Sequence, residues 1–455
     1  MSFSDLLFIF RFLPVFLILY YLVPGMLRRY LLLGASLLFY ALGDIRFFML
    51  LIAATLANYV IGKEVYYRRK SSFILILLLD TALLAGFKSL GAFAGSVFIP
   101  VGISFYVFKM ISYQSDLYRG KMVDAPSAID AATYFSMFPQ MISGPIMRFA
   151  DYADTGADRD VMVDPFHLTR REYMPRLEEG AFYFISGLAL KVILADHLAM
   201  CWNAIGTIGY AHLSTPLAWI GVLCYSLNLY FDFWGYSLMA SGICLALGFP
   251  FIENFHHPYA AGSVTDFYRC WHMTLGSWFR DYIYIPLGGS RKGGFRTFFN
   301  LLVVWLLTAL WHGFSLNFLI WGMTLFVLIV WEKYVLSRVR ILHAVLSRFH
   351  VLVLVPLTWI PFALGKTTHL IGYFHRLFPF ARIPANVFEY DYVEILRNYT
   401  VFFLAGIVLL IPQVFETLKY NRKHPVVVIL LLALFWVSVY SLVGSAGNPF
   451  MYFQF

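Results

Sequence analysis

Two histidines stand out for the chemistry they could do. His272 ends the polar stretch Phe267-Tyr268-Arg269-Cys270-Trp271-His272, and His312 sits in the triplet Trp311-His312-Gly313. An unperturbed imidazole titrates near pH 6.5, so either ring can act as a general base close to neutrality. His312 closes an uncharged run, Phe298 to Leu310, broken only by Asn300 and Thr308. At bilayer depth an ionisable group is expensive and usually has a task. A lone histidine on an apolar face is also a common packed core group. Gly313, Ser315 and Asn317 follow it and suggest a helix that breaks where it meets a cavity rather than lipid. On the residues alone, both readings of His312 stand.

The stretch from Glu253 to Arg296 adds Asn254, His256, His257, Asp266, Arg269, Arg280, Asp281, Arg291 and Lys292. Its excess of arginine and lysine places it on the cytoplasmic side and gives a surface able to attract phosphate-bearing ligands. The same charges would equally hold a loop inside and meet lipid headgroups. Pro286-Leu287-Gly288-Gly289-Ser290-Arg291 fits no P-loop or dinucleotide pattern and reads as a turn. His256, His257 and His272 lack the paired helical spacing of a metal site, so none is expected. No GxSxG elbow is present.

The elements that must position these groups are helices in a membrane. The chain is 60% hydrophobic, 19% aromatic and only 13% charged, where soluble domains carry about 25% charge. Mean hydropathy is +0.72. Continuous apolar runs, rather than alternating ten-residue segments, indicate an all-α polytopic protein and not a β-barrel. The net charge of +9 resides mainly in short loops, as the positive-inside bias requires, so no nucleic-acid partner is expected. The basic residues Arg28-Arg29 and Lys63 to Lys70 mark one side as cytoplasmic and put the N-terminus outside. Cys201, Cys224, Cys244 and Cys270 show no CxxC spacing, and the first three read as small buried hydrophobes.

Spans are expected at residues 5–23, 30–43, 47–62, 72–89, 181–201, 298–312, 316–336, 350–365, 399–418 and 425–444. Residues 5–23 read as a retained first helix, because no small-x-small cleavage site follows. Residues 95–112 and 134–146, interrupted by proline and glycine, suit broken or short embedded elements. Residues 148–180 read as a polar loop with a surface helix near 170–180. Residues 216–249 read as a span plus a re-entrant piece, broken by Asp232 and Gly235. The whole chain, 1–455, reads as a single integral-membrane domain of ten to twelve membrane segments.

Five ordered motifs together resemble the membrane-bound O-acyltransferase (MBOAT) family. They are Phe231 to Ser237, Glu253-Asn254-Phe255, Asp266 to Leu275, Trp278 to Gly289, and Trp311-His312-Gly313. Phe138-Pro139-Gln140 with Ser143-Gly144-Pro145 resembles a further motif of its bacterial branch, which includes alginate O-acetyltransferases and the D-alanyl transferase of lipoteichoic acid. The similarity spans roughly residues 100–330. It implies a ring of helices around a central tunnel, with His312 as the catalytic histidine and His272 also important. It implies an O-acetyltransferase of the cell membrane with no bound cofactor. Its donor would be acetyl-CoA or an acyl-carrier thioester, and its acceptor an exported polysaccharide or cell-wall polymer, reached directly or through an extracytoplasmic partner. Asn254, Arg269, Trp271, Arg280 and Trp311 are the expected substrate-binding residues. The rival activities are D-alanyl transfer and transport without chemistry.

Overall fold

A bilayer core offers backbone N–H and C=O groups no water, so apolar runs must satisfy their hydrogen bonds internally as helices. The computed structural model describes residues 2–122, 124–153, 165–339, 346–380 and 387–444. Nine helices among the described residues are long and apolar enough to cross a membrane. The shorter apolar helix Phe8–Leu22 precedes them. It starts as a π-turn, Phe8–Phe12, which ends beside Pro14 and so absorbs the missing proline N–H. The described residues form two compact units, and both are helical.

The first unit comprises Met1–Gly187, Tyr236–Glu253 and Leu442–Gln454. Its interior is aromatic: Phe138 packs against Phe12, Phe16 and Phe39 at centroid distances of 5.4, 5.2 and 5.6 Å. The expected short element 134–146 takes only the last turn of helix Ala128–Ser136, then the single turn Phe138–Gln140 and a buried non-helical stretch to Ile146. Polar groups that cannot reach water find one another. Asn58 donates to Asp80 Oδ1 at 2.9 Å, and Gln114 Nε2 donates to Asn58 Oδ1 at 2.9 Å. Arg28, buried, donates to the carbonyls of Tyr20, Phe166 and Leu168. Of the expected polar loop 148–180, residues 154–164 lie outside the described residues.

Helix Arg170–Ala189 packs on helix Thr215–Ala246 backbone to backbone, through Gly180 and Gly242. A Cβ built on either glycine would lie 2.5 Å from the carbonyl oxygen of the other. Small residues at such crossings are how helices approach closely where no hydrophobic effect drives them together.

The second unit comprises Leu188–Gly235 and Asn254–Ser441. Here three expectations change. Helix Thr215–Ala246 runs unbroken for 32 residues, with no re-entrant piece at Asp232. Asp232 does not break it because Lys191 Nζ lies 3.2 Å from its carboxylate, both nearly fully buried. The expected span 181–201 extends over Arg171–Ile208, its π-turn Leu190–Ala195 bringing Lys191 onto Asp196 as well. The expected span 399–418 starts earlier, at Asp391–Leu409, and stops where Pro412 opens a separate helix, Pro412–Tyr420.

The glycine crossing gives a test with opposite signs. Gly180→Ala forces Gly242 to shift and should cost about 1–3 kcal/mol. Gly86, in the helix Lys70–Ala94, has nothing within 4 Å of its Cβ position. There the change to alanine should gain about 0.5–1 kcal/mol of helix stability. Thermal unfolding in detergent should lower the melting temperature of the first variant and hold or raise that of the second.

Candidate active site

Helix Gly294–His312 and helix Leu316–Tyr334 form a hairpin, and His312 is the last helical residue of the first arm. The turn between them is built by the residues after His312. Ser315 caps the second arm by accepting from Phe318 N at 3.3 Å. Asn317 binds the Leu364 carbonyl and accepts from Thr367 Oγ1 at 3.1 Å. Gly313 has a packing reason: a Cβ there would meet the Phe318 ring at 2.7 Å. That ring belongs to the walls of His312. Trp311, Trp321 and Phe362 meet His312 nearly edge-on, at centroid distances of 4.5, 4.9 and 4.9 Å, and Phe318 stacks at 6.1 Å.

The polar stretch expected as a cytoplasmic surface loop is, in its central part, a buried insert. Helices Val264–Cys270 and Met273–Phe279 flank His272, whose relative exposure is 4%. Its charges misled the sequence reading, because they line only one side of the segment. The other side buries Phe267, Trp271 and Leu275. Tyr268 meets Trp305 at 4.9 Å, and Trp271 meets Trp359 at 4.9 Å.

His272 has a left-handed backbone (φ 45°, ψ 52°), a conformation that histidine tolerates better than most side chains but that still costs energy. The chain holds it there by pairing with residues 254–256. Phe255 bridges Trp271, His256 N donates to the Cys270 carbonyl at 2.9 Å, and Met273 N donates to the Asn254 carbonyl at 2.9 Å.

This pairing lays the Asn254 side chain on the His272 ring. Asn254 Oδ1 accepts from Thr274 N at 3.3 Å and Thr274 Oγ1 at 2.9 Å. A backbone N–H only donates, so that atom is the amide oxygen, and the His272 Nδ1 3.0 Å from it must carry the proton. The lone pair is then on Nε2, which is buried with no hydrogen-bond partner among the described residues. Burial pushes the His272 imidazole from its ordinary 6.5 down to about 3, so the ring is neutral at working pH. Phe233 packs on it edge-on at 4.6 Å, and Trp311 lies 6.5 Å away. Trp311 thus contacts both histidines.

The structure gathers His272, Asn254, Trp271, Trp311 and His312 and leaves two of the expected residues outside. Arg269 is exposed and paired with Asp266 at 2.8 Å, with 73% of its side-chain surface open. Arg280, 62% open, pairs with Asp281 at 2.8 Å. Residues that the sequence reading missed are Phe233, Thr274, Phe318, Trp321, Trp359 and Phe362. Phe233 and Thr274 sat within quoted motifs. The others carry no local signal beyond being aromatic in an apolar run.

The fold and site define an all-helical, multi-pass membrane protein with a buried two-histidine centre. Residues 31–375 match the membrane-bound O-acyltransferase family, and the chain belongs to that family. The match extends well beyond the motif-bearing residues 100–330. The chain is 42% identical over 345 residues to a probable alginate O-acetylase of Pseudomonas putida, covering 71% of this chain and 68% of that one. It is 30% identical over 370 residues to a peptidoglycan O-acetyltransferase of Helicobacter pylori, covering 70% and 68%. It is 26% identical over 232 residues to a teichoic acid D-alanyltransferase of Bacillus subtilis, covering 49% and 56%. The alginate-type relatives are matched over 64–68% of their own length.

Asn254→Ala would free the His272 ring to change tautomer and orientation, and acyl transfer should fall by about 10- to 100-fold in a folded protein. Stability should also depend on acid. The unfolded chain binds a proton at His272 below about pH 6.5, the folded protein only below about 3. Stability is therefore lost as pH drops through that window, by up to about 1.4 kcal/mol per unit. His272→Asn, which suits the left-handed backbone, should flatten that slope in thermal melts at pH 7, 6 and 5.

Proposed function

We propose that this protein transfers an acetyl group from a cytoplasmic thioester, acetyl-CoA or an acyl-carrier protein, to a hydroxyl of an exported polysaccharide or cell-wall polymer. The acceptor is reached directly or through an extracytoplasmic partner that passes the acetyl group on. The observation that carries this reading is the buried pair His272 and His312 around Trp311, with the His272 tautomer held by Asn254. The 40–42% identity to alginate-type acetylases favours acetyl over D-alanyl as the acyl group.

The two rings divide the labour. Asn254 holds the proton on His272 Nδ1, which leaves Nε2 as an acceptor. His272 therefore accepts a hydrogen bond at Nε2 from the acceptor hydroxyl and orients it. His312 takes the hydroxyl proton as the oxygen attacks the thioester carbonyl. A tetrahedral oxyanion forms, the C–S bond breaks, and the leaving thiolate receives the proton from His312, giving ester and free thiol. Trp321 Nε1 is buried with no hydrogen-bond partner among the described residues, and its ring abuts His312, so its N–H is a donor for the oxyanion. Arg269 and Arg280, exposed, are donor-side candidates for the phosphates of the thioester. No serine or cysteine nucleophile is needed.

Purified protein in nanodiscs with acetyl-CoA should release free thiol when a hydroxyl acceptor is present and little without one. His312→Ala should abolish release while keeping a single size-exclusion peak. Trp321→Phe, which keeps an aromatic ring of smaller size and removes the N–H, should lower kcat by about 10²–10³. Equal release by wild type and His312→Ala would remove His312 from the chemistry. Intact donor thioester, with a labelled acceptor crossing the membrane, would replace enzyme by transporter.

A further inference from the structure

We propose that Glu332 is a positioning residue for His272, acting through the helix Val264–Cys270; the inference rests on the acyl-transfer reading above. Glu332 lies near the end of helix Leu316–Tyr334 and is 2% exposed. Both carboxylate oxygens are used. Oε2 accepts from the backbone N–H of Val264 at 2.9 Å, and Oε1 lies 2.9 Å from Nδ1 of buried His350.

Val264 is the first residue of the short helix that leads to His272. Ser263 caps the next orphan donor, accepting from Asp266 N at 3.0 Å. Arg348 donates to the carbonyls of Ala260 and Ala261 at 2.7 and 2.9 Å, two to three residues upstream. The entry to the insert is thus fastened by Glu332 and Arg348, and its far end by the pairing with residues 254–256.

Between these fastenings the insert lies along the helical hairpin and the helix Val355–Ala363. Val264 sits on Glu332, Tyr268 on Trp305, Trp271 on Trp359, and His272 within reach of Trp311. A seven-residue helix is about 10 Å long and stiff, so its start sets where its end lies. A buried carboxylate carries a desolvation cost that a well-packed apolar residue would avoid. What the carboxylate adds is two charge-assisted hydrogen bonds of fixed direction. Their geometric product is the placement of His272.

Cys270 provides a reporter in the protein as it exists. It is half-buried at the end of this helix, while Cys201, Cys224 and Cys244 are buried elsewhere. Maleimide labelling read by peptide mass spectrometry, alongside donor-thiol release, compares wild type, Glu332→Ala and Glu332→Gln. Glutamine can still accept from Val264 N, and its NH2 can donate to His350 Nδ1 once that ring carries its proton on Nε2. The alanine variant should label Cys270 at least about tenfold faster, with the other three cysteines unchanged, and lose kcat by about 10- to 100-fold at constant donor KM. The glutamine variant should stay within about threefold of wild type on both measures. Unchanged Cys270 labelling in the alanine variant would overturn the proposal. So would faster labelling of all four cysteines together, or a glutamine variant as impaired as alanine. Wild type without thiol release would overturn the acyl-transfer reading instead, and the labelling comparison decides the Glu332–helix contact in either case.

Discussion

The hydrogen bond between Asn254 Oδ1 and His272 Nδ1 joins two pieces of chain that the sequence separates by a turn and a short helix. Through it the backbone pairing of residues 254–256 with 270–273 becomes a statement about a proton. Because Asn254 Oδ1 is already held as an acceptor by Thr274, the imidazole has one tautomer and one orientation available. Everything that fixes the insert therefore also fixes which nitrogen of His272 is open. A site of this kind depends on backbone placement as much as on side chains, as preorganised centres generally do.

Placement of that backbone is in turn a solution to the bilayer problem. A polar segment enters a helical membrane protein only if its N–H and C=O groups and charges are met internally. The insert meets this with two short capped helices, one bridge and a buried glutamate at its entry. The same rule shapes the rest of the unit, where Lys191 neutralises Asp232 and leaves its helix unbroken.

The frame of the fold was legible in the sequence because long apolar runs have only one structural outcome. The runs near 30–43, 298–312, 316–336 and 425–444 became helices with ends close to those expected. What misled was local polarity read without its partner. Asp232 looked like a helix breaker because Lys191 is far away in sequence, and residues 264–272 looked like a surface loop because Glu332, Trp305 and Trp359 are contributed by later helices. His272, His312 and their flanking tryptophans were visible as motif residues. The roles of Asn254 and Trp321 were not, since one depends on a backbone bridge and the other on an unmet N–H. Arg269 and Arg280 stood out by charge alone, and charge alone leaves them at the surface.

The four aromatic rings around His312 carry a further consequence, for fidelity. A thioester is open to attack by any hydroxyl, and water is by far the most abundant one. Walls made of Trp311, Phe318, Trp321 and Phe362 offer a stray water few hydrogen bonds, whereas the proposed sugar acceptor would bring an apolar ring face that can lie against them. Under the proposed acyl transfer, such an enclosure favours transfer over hydrolysis by exclusion of bulk water.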